Sequence, residues 1–311
     1  MTANSPNPGW NDPLWPFQGA GRYVQAGGAR WHLVQLGSGP PVLLLHGSAS
    51  SAHQWAGVAA LLQSRFSLVI PDLPGHGYSS SLPPGASGLD GMAAALGALL
   101  ETEGIRPLLS VGHSAGACIA VRASSRGWVV PRALVGLAPA LGSRSTYLPR
   151  LMDRPMTALT RSGLLARGAA RLVRHLPMAE QLLESTGSRV SPEVQARYRA
   201  LLSDPERMAG VLSLFADWDP HGIALEAARL GVPVTFLAGE NDRWVPPELL
   251  RSQVADALAA HPPGRAWLEL RFLPSRGHLL PEEDPGAVAE AIVRQSERVD
   301  SLTQPPGPGP A

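Results

Sequence analysis

The sequence predicts an α/β fold: a mostly parallel central sheet flanked by helices, with an inserted helical lid. Three observations carry this expectation. Short apolar runs bounded by turn residues recur along the chain, the pattern of strands buried on both faces. Helical patterns lie between these runs, and that alternation builds parallel βαβ units. Between residues 142 and 217 the strand signals stop, leaving helical pattern broken by prolines.

Residues 1–21, rich in Pro, Gly, Asn and Trp, read as an irregular segment running over the surface. Residues 23–26 and 31–36 then flank Gly27-Gly28, a hairpin signature that starts the sheet antiparallel. Apolar runs follow at 41–47 (PVLLLHG), 67–73 (SLVIPDL), 107–113 (PLLSVGH), 132–139 (RALVGLAP), 232–239 (VPVTFLAG) and 267–274 (WLELRFLP). Helices are expected at about 54–64, 89–103, 114–126, 246–260 and 285–298. The core then comprises residues 22–141 and 218–300, and residues 142–217 form the lid. The tail, 301–311, ends in QPPGPGPA and is expected to be disordered.

Composition narrows the function classes. The 311 residues are 44% apolar and 16% charged, enough to bury a sizeable core. A net charge of +1 gives no reason to expect a nucleic-acid partner. All basic residues are arginine. The single cysteine, Cys118, excludes an internal disulfide and a cysteine-based metal site, and no metal or cofactor is expected. The first arginine is Arg22 and no apolar run precedes it, so no signal peptide is expected. No stretch approaches the ~18 apolar residues of a membrane span. A cytoplasmic protein is the default expectation.

The chemistry is carried by VGHSAGA, residues 111–117. A strand, then Gly112-His113-Ser114-Ala115-Gly116, then a helix is the context of a nucleophile elbow, which lifts a serine Oγ clear of the sheet. Glycines at 112 and 116 let helix and strands approach closely. A hydroxyl at neutral pH needs a base. His278, in PSRGHLLPEEDP after the last expected strand, sits at the same carboxyl edge of the sheet. His32, His53, His175, His221 and His261 have no motif around them. The base needs an acid to fix its tautomer. Asp242, in LAGENDRWVP after the strand at 232–239, fits that role, with Glu240 and Asp219 as rivals. An acyl-transfer site also needs donors for the developing oxyanion. The backbone N–H of Ala115 and that of Ser48, in LLLHGSAS, are the candidates.

HGSAS at 46–50, PDLPGHGYSS at 71–80, VGHSAGA at 111–117, GENDRWVP at 239–246 and GHLLPEEDP at 277–285 resemble, in order and spacing, the α/β-hydrolase superfamily. The resemblance spans about residues 23–298. It implies the α/β-hydrolase fold with the chain order Ser114, Asp242, His278. A serine nucleophile sets the chain apart from the dehalogenase and epoxide-hydrolase branches, which carry aspartate at the elbow. The segment 72–79 looks like a structural turn of the superfamily and is assigned no chemistry. Within the serine branch, LLESTGS at 182–188 and FADWDP at 215–220 resemble the family of magnesium chelatase accessory proteins of bacteriochlorophyll synthesis. Threonine and glycine often follow the His46-Gly47 position in that family; here they are Ser48 and Ala49.

That resemblance implies an accessory role at or near magnesium insertion into protoporphyrin IX and no particular reaction; a porphyrin-related small-molecule substrate and a contact with the chelatase are the partners expected. Two other readings stay open: a non-catalytic module that binds porphyrin or chelatase, and a general esterase or C–C hydrolase unrelated to pigment. Residues 144–174 hold seven arginines and one acid, Asp153. Arg167, Arg171 and Arg174 share a helical face, with Leu165, Leu172 and Leu176 toward another. Such a face is either an ordinary solvated one or a surface for anionic lipid headgroups or porphyrin propionates. Phe215, Trp218 and Trp244 are candidate walls of an apolar pocket.

Overall fold

The computed structural model describes residues 15–141, 163–261 and 267–303. One sheet of eight strands organises it, in the order β1-β2-β4-β3-β5-β6-β7-β8. The strands are β1 (Gly21–Ala26), β2 (Ala29–Leu36), β3 (Pro41–Leu45), β4 (Ser67–Pro71), β5 (Leu109–His113), β6 (Ala133–Leu137), β7 (Val234–Gly239) and β8 (Leu268–Leu273). β1 pairs antiparallel with β2 and β2 antiparallel with β4; every later pairing is parallel. β3 lies between β4 and β5. The chain therefore winds one way out of β3 and the other way into β5, and ligands of such sheets bind where the winding reverses.

Alternation along β3 explains why the sheet needs cover on both faces. Leu43 and Leu45 join a core with α2 (Leu89–Thr102), α3 (Ala115–Ser125), α8 (Ile223–Arg229) and α9 (Pro247–Ala259). Val42 and Leu44 join the opposite core with α1 (Ala56–Leu62) and α11 (Pro285–Thr303). Successive side chains of a strand face opposite ways, so a continuous apolar run needs two apolar layers.

Between β6 and α8 four helices are described: α4 (Gly163–His175), α5 (Met178–Ser185), α6 (Pro192–Leu202) and α7 (Pro205–Ala216). Two of the proline breaks among the described residues are helix starts. Pro192 and Pro205 open α6 and α7, where the missing N–H costs nothing. Ser191 Oγ accepts from Val194 N, and Asp204 Oδ1 from the amides of Glu206 and Arg207. These helices bury a small core of their own, including Ala166, Ala170, Val173 and Val211, against Ala49 of the loop after β3.

The structure amends several boundaries. Trp15 and Phe17 are buried rather than draped over the surface. The Trp15 ring packs edge-on against His32 and Tyr78, at centroid distances of 5.5 and 4.8 Å, so its apolar area outweighs the irregular backbone. A short 3-10 turn, Ala52–Trp55, precedes α1. Two unexpected helices appear, α8 and the four-residue α10 (Leu280–Glu283). α11 runs to Thr303, into the expected tail. Residues 142–162, the first part of the expected lid, and 304–311 of the tail lie outside the described residues. Among the described residues no helix is long and apolar enough to cross a membrane.

Candidate active site

The elbow is a strained junction. β5 ends at His113 and α3 begins at Ala115, leaving Ser114 at φ 50°, ψ −114°. An L-residue pays for that conformation. It is held by the Ser114 N–H bond to Leu137 O, 2.8 Å, and by glycines that cannot be enlarged. A Cβ on Gly112 would lie 2.4 Å from Ala117 N, and one on Gly116 would lie 2.5 Å from the carbonyl oxygens of Leu45 and His46.

The three side chains expected to act together meet. His278 Nε2 lies 3.0 Å from Ser114 Oγ, and His278 Nδ1 lies 2.8 Å from Asp242 Oδ2. All three residues are buried. The other carboxylate oxygen, Asp242 Oδ1, accepts from the amides of Trp244 and Val245 at 2.9 and 2.8 Å. The carboxylate therefore cannot turn away from His278. Glu240 and Asp219 are exposed, and Asp219 is spent on the His221 amide. Neither rival takes the place of Asp242.

The loop of His278 is pegged from below. His113 Nε2 donates to the His278 carbonyl, 2.8 Å. Burial, with neighbouring His278, holds His113 well below the ordinary imidazole range, so it stays neutral with the proton on Nε2. The segment 184–188, singled out by the sequence, braces both acid and base loops. Arg243 N donates to Thr186 O, and Leu279 N donates to Ser188 Oγ. Gly187 sits so close to Asn241 O that a Cβ would lie 2.0 Å from it.

The two expected oxyanion donors are open. Neither the Ser48 nor the Ala115 amide donates to an acceptor among the described residues. His46 sets the direction of the first. Its Nδ1 donates to Gly47 O, 2.7 Å, while its Nε2 accepts from Leu73 N, 2.9 Å. Burial lowers the His46 pKa, consistent with this neutral tautomer. Gly47 O and the Ser48 N–H belong to one planar trans peptide and point oppositely. Fixing the carbonyl on His46 therefore turns the Ser48 N–H the other way. Ala49 takes φ 62°. The segment 72–79 supports this loop from behind: Asp72 accepts from the Ala52 and Tyr78 amides and from His32.

Above Ser114 lies an apolar pocket walled by Leu182, Leu214, Phe215, Trp218 and Trp244. The three expected aromatic residues are all there. No Arg, Asp or Glu side chain lines it among the described residues. Arg167, Arg171 and Arg174 instead line a separate groove with Ser203 and Pro205. The arginine face is thus not the rim of this pocket. Sequence reasoning missed Gln54, Tyr198 and Glu282, which meet behind the Ser48 loop. Only the HQW at 53–55, following HGSAS, gave a signal for the first of them. Among the described residues no cluster of three His, Cys, Asp or Glu could hold a metal ion.

An eight-stranded sheet with a serine elbow at its winding reversal and a His–Asp pair on neighbouring strand ends defines a hydrolase scaffold. The chain belongs to the alpha/beta hydrolase family, whose model matches residues 42–291. It is 34% identical over 240 residues to the magnesium-chelatase 30 kDa subunit of Rhodobacter capsulatus, covering 75% of this chain and 82% of that protein. It is 31% identical over 238 residues to a pimeloyl-(acyl-carrier protein) methyl ester esterase of Methylococcus capsulatus, covering 72% and 82%. A thermophilic esterase from Thermogutta terrifontis shares the fold, with a TM-score of 0.67 and 24% identity over 89% of this chain and 99% of that one.

Proposed function

We propose that this chain is a serine hydrolase that cleaves an ester-like bond and serves as an accessory factor for magnesium insertion into protoporphyrin IX. The observation that carries the hydrolase reading is the unbroken chain of hydrogen bonds from Ser114 Oγ through His278 to Asp242. Ser114 Oγ attacks the substrate carbonyl while His278 Nε2 takes its proton. The Ser48 and Ala115 amides hold the oxyanion. The tetrahedral intermediate collapses, and His278 returns the proton to the leaving oxygen. Water, deprotonated by the same nitrogen, then releases the acid and restores Ser114. The apolar pocket without a lining cation suits a neutral acyl portion. The helices α4–α7 act as a lid over it.

The pathway part rests on the similarity to the magnesium-chelatase subunit of Rhodobacter capsulatus. A porphyrin-related ester is the substrate class that joins the two parts. The test is rescue of a pigment-deficient strain lacking this gene, with bacteriochlorophyll and protoporphyrin IX quantified. Wild type is expected to restore pigment. Folded Ser114→Ala is expected to fail, with protoporphyrin IX accumulating. Full rescue by Ser114→Ala would replace the catalytic reading with a porphyrin- or chelatase-binding module. Rapid, broad turnover of short p-nitrophenyl esters, with no pigment phenotype for the deletion, would favour a general esterase.

Helix α4 supports a peripheral contact with the inner face of a membrane. Its Ala166, Ala170 and Val173 are buried, while Leu164 and Leu172 are exposed beside Arg167, Arg171 and Arg174. Apolar side chains next to cations suit an anionic headgroup layer. Binding to anionic vesicles should weaken with salt and be lost in the Arg167→Ala, Arg171→Ala double variant. No vesicle binding at low salt would end this reading.

A further inference from the structure

Behind the Ser48 loop lies a buried polar cluster drawn from three distant parts of the chain. Gln54 comes from the 3-10 turn, Tyr198 from α6 of the insertion and Glu282 from α10 after the His278 loop. Gln54 Oε1 accepts from Gly47 N, 3.0 Å. Gln54 Nε2 donates to Tyr198 OH at 3.2 Å and to Glu282 Oε2 at 3.1 Å. Tyr198 OH lies 2.7 Å from Glu282 Oε1 and 3.2 Å from Ser50 Oγ. Gln54, Ser50 and Tyr198 are buried.

We propose that Gln54 is a positioning residue for the oxyanion loop, and that the Tyr198–Glu282 pair makes its orientation depend on docking of helix α6. This rests on the hydrolase reading above. Gly47 N–H and Gly47 O lie on the two peptide planes that meet at the Gly47 Cα, and the second of these planes carries the Ser48 N–H. His46 holds the oxygen and Gln54 holds the nitrogen. A primary amide has one acceptor end and one donor end. Tyr198 and Glu282 supply the acceptors for the donor end, so Oε1 is left facing Gly47. If α6 withdraws, the amide loses one of those acceptors. The other buried groups lose partners too, which is costly in a closed site. A docked insertion and a correctly turned Ser48 amide are thus one state.

Glu282 also gives the cluster a pH response. Burial pushes its carboxyl up to about 8 despite hydrogen bonds from Tyr198 and Gln54. The side chains that act on it are Tyr198 and Gln54 through hydrogen bonds and Glu283 through its charge; His53 packs edge-on against Tyr198, and Arg197 of α6 acts in turn on His53. His53, chiefly through burial, is pushed down to about 3 and carries no charge. Glu283 is spent on the Gly277 and Arg189 amides, and Asp284 pairs with Arg276. Above about pH 8 a negative charge therefore appears inside the cluster, and docking of α6 weakens.

The test uses the full chain, p-nitrophenyl butyrate as probe, and the NMR amide signal of Gly47. Gln54→Met is expected to lower kcat roughly 10- to 100-fold, the scale of a small misplacement at a reacting centre, with KM nearly unchanged. Tyr198→Phe should give part of that loss. Glu282→Ala should lower kcat and Glu282→Gln should recover most of it. Wild-type kcat should decline with a midpoint near pH 8, and the decline should vanish in Glu282→Gln. The Gly47 amide proton should move upfield in Gln54→Met and, in wild type alone, titrate near pH 8. If Gln54→Met misfolds by melting temperature, the same amide shift in Tyr198→Phe decides. An unmoved Gly47 amide, or unchanged kcat in folded Gln54→Met, overturns the proposal. Wild-type protein without turnover and without a fluorophosphonate adduct on Ser114 would instead end the hydrolase reading, and the amide measurement would still decide the role of Gln54.

Discussion

Replacing Ser114 with alanine is expected to lower kcat toward p-nitrophenyl butyrate by about 10⁶-fold, the scale seen when a triad nucleophile is removed. The geometry gives the enzyme no substitute. Ser114 Oγ is the only side-chain atom on the elbow within hydrogen-bond reach of His278 Nε2, at 3.0 Å. The neighbouring hydroxyl, Ser48 Oγ, has no partner among the described residues and therefore no base. Alanine keeps the Cβ, so it inherits the strain of φ 50° without relieving it. It loses one hydrogen bond, worth about 1 kcal/mol, so the melting temperature should fall by only a few degrees. A large rate loss with a nearly intact melting curve, and no fluorophosphonate adduct, would identify Ser114 as the nucleophile. A variant that turns over at the wild-type rate would remove Ser114 from the chemistry altogether.

What the sequence made legible was whatever is written in one contiguous stretch. The elbow is a strand, a serine between glycines and a helix within a short span. The Asp242 and His278 loops each follow an apolar run directly, so their place at one sheet edge could be read from topology alone. The oxyanion loop could be located for the same reason. Its support could not. Gln54 meets Tyr198 across 144 residues and Glu282 across 228, and nothing local marks such a meeting. Glu282 lies in a PEED run that looks like solvated charge; it is the fold that closes over it. The aromatic residues of the N-terminal segment misled in a related way. Irregular backbone suggested a surface path, yet Trp15 and Phe17 carry enough apolar area to be drawn inward. The arginines of α4 illustrate the reverse. Their common face was legible from helical spacing, whereas which cavity they border depends on how α4 lies on α7, and that placement assigned them to a groove of their own.

Asp242→Asn is expected to lower kcat/KM by about 10⁴-fold while leaving the fold in place. The two carboxylate oxygens have different partners. Oδ1 accepts two amide N–H groups, from Trp244 and Val245. An asparagine amide would therefore settle with its oxygen on that side, since its NH₂ would face two donors there. The NH₂ is then turned toward His278 Nδ1, where Asp242 now offers an acceptor at 2.8 Å. A donor facing Nδ1 stabilises the tautomer with the proton on Nε2. That nitrogen can donate to Ser114 Oγ but cannot take its proton. The nucleophile, the pocket and the backbone donors all survive, and only the direction of one hydrogen bond is reversed. Binding should thus be nearly unchanged, with the loss falling on kcat. Measuring kcat and KM separately checks this, alongside a melting curve. A loss confined to KM, or a mild loss overall, would mean that Asp242 does no more than hold its loop, and that the tautomer of His278 is set elsewhere.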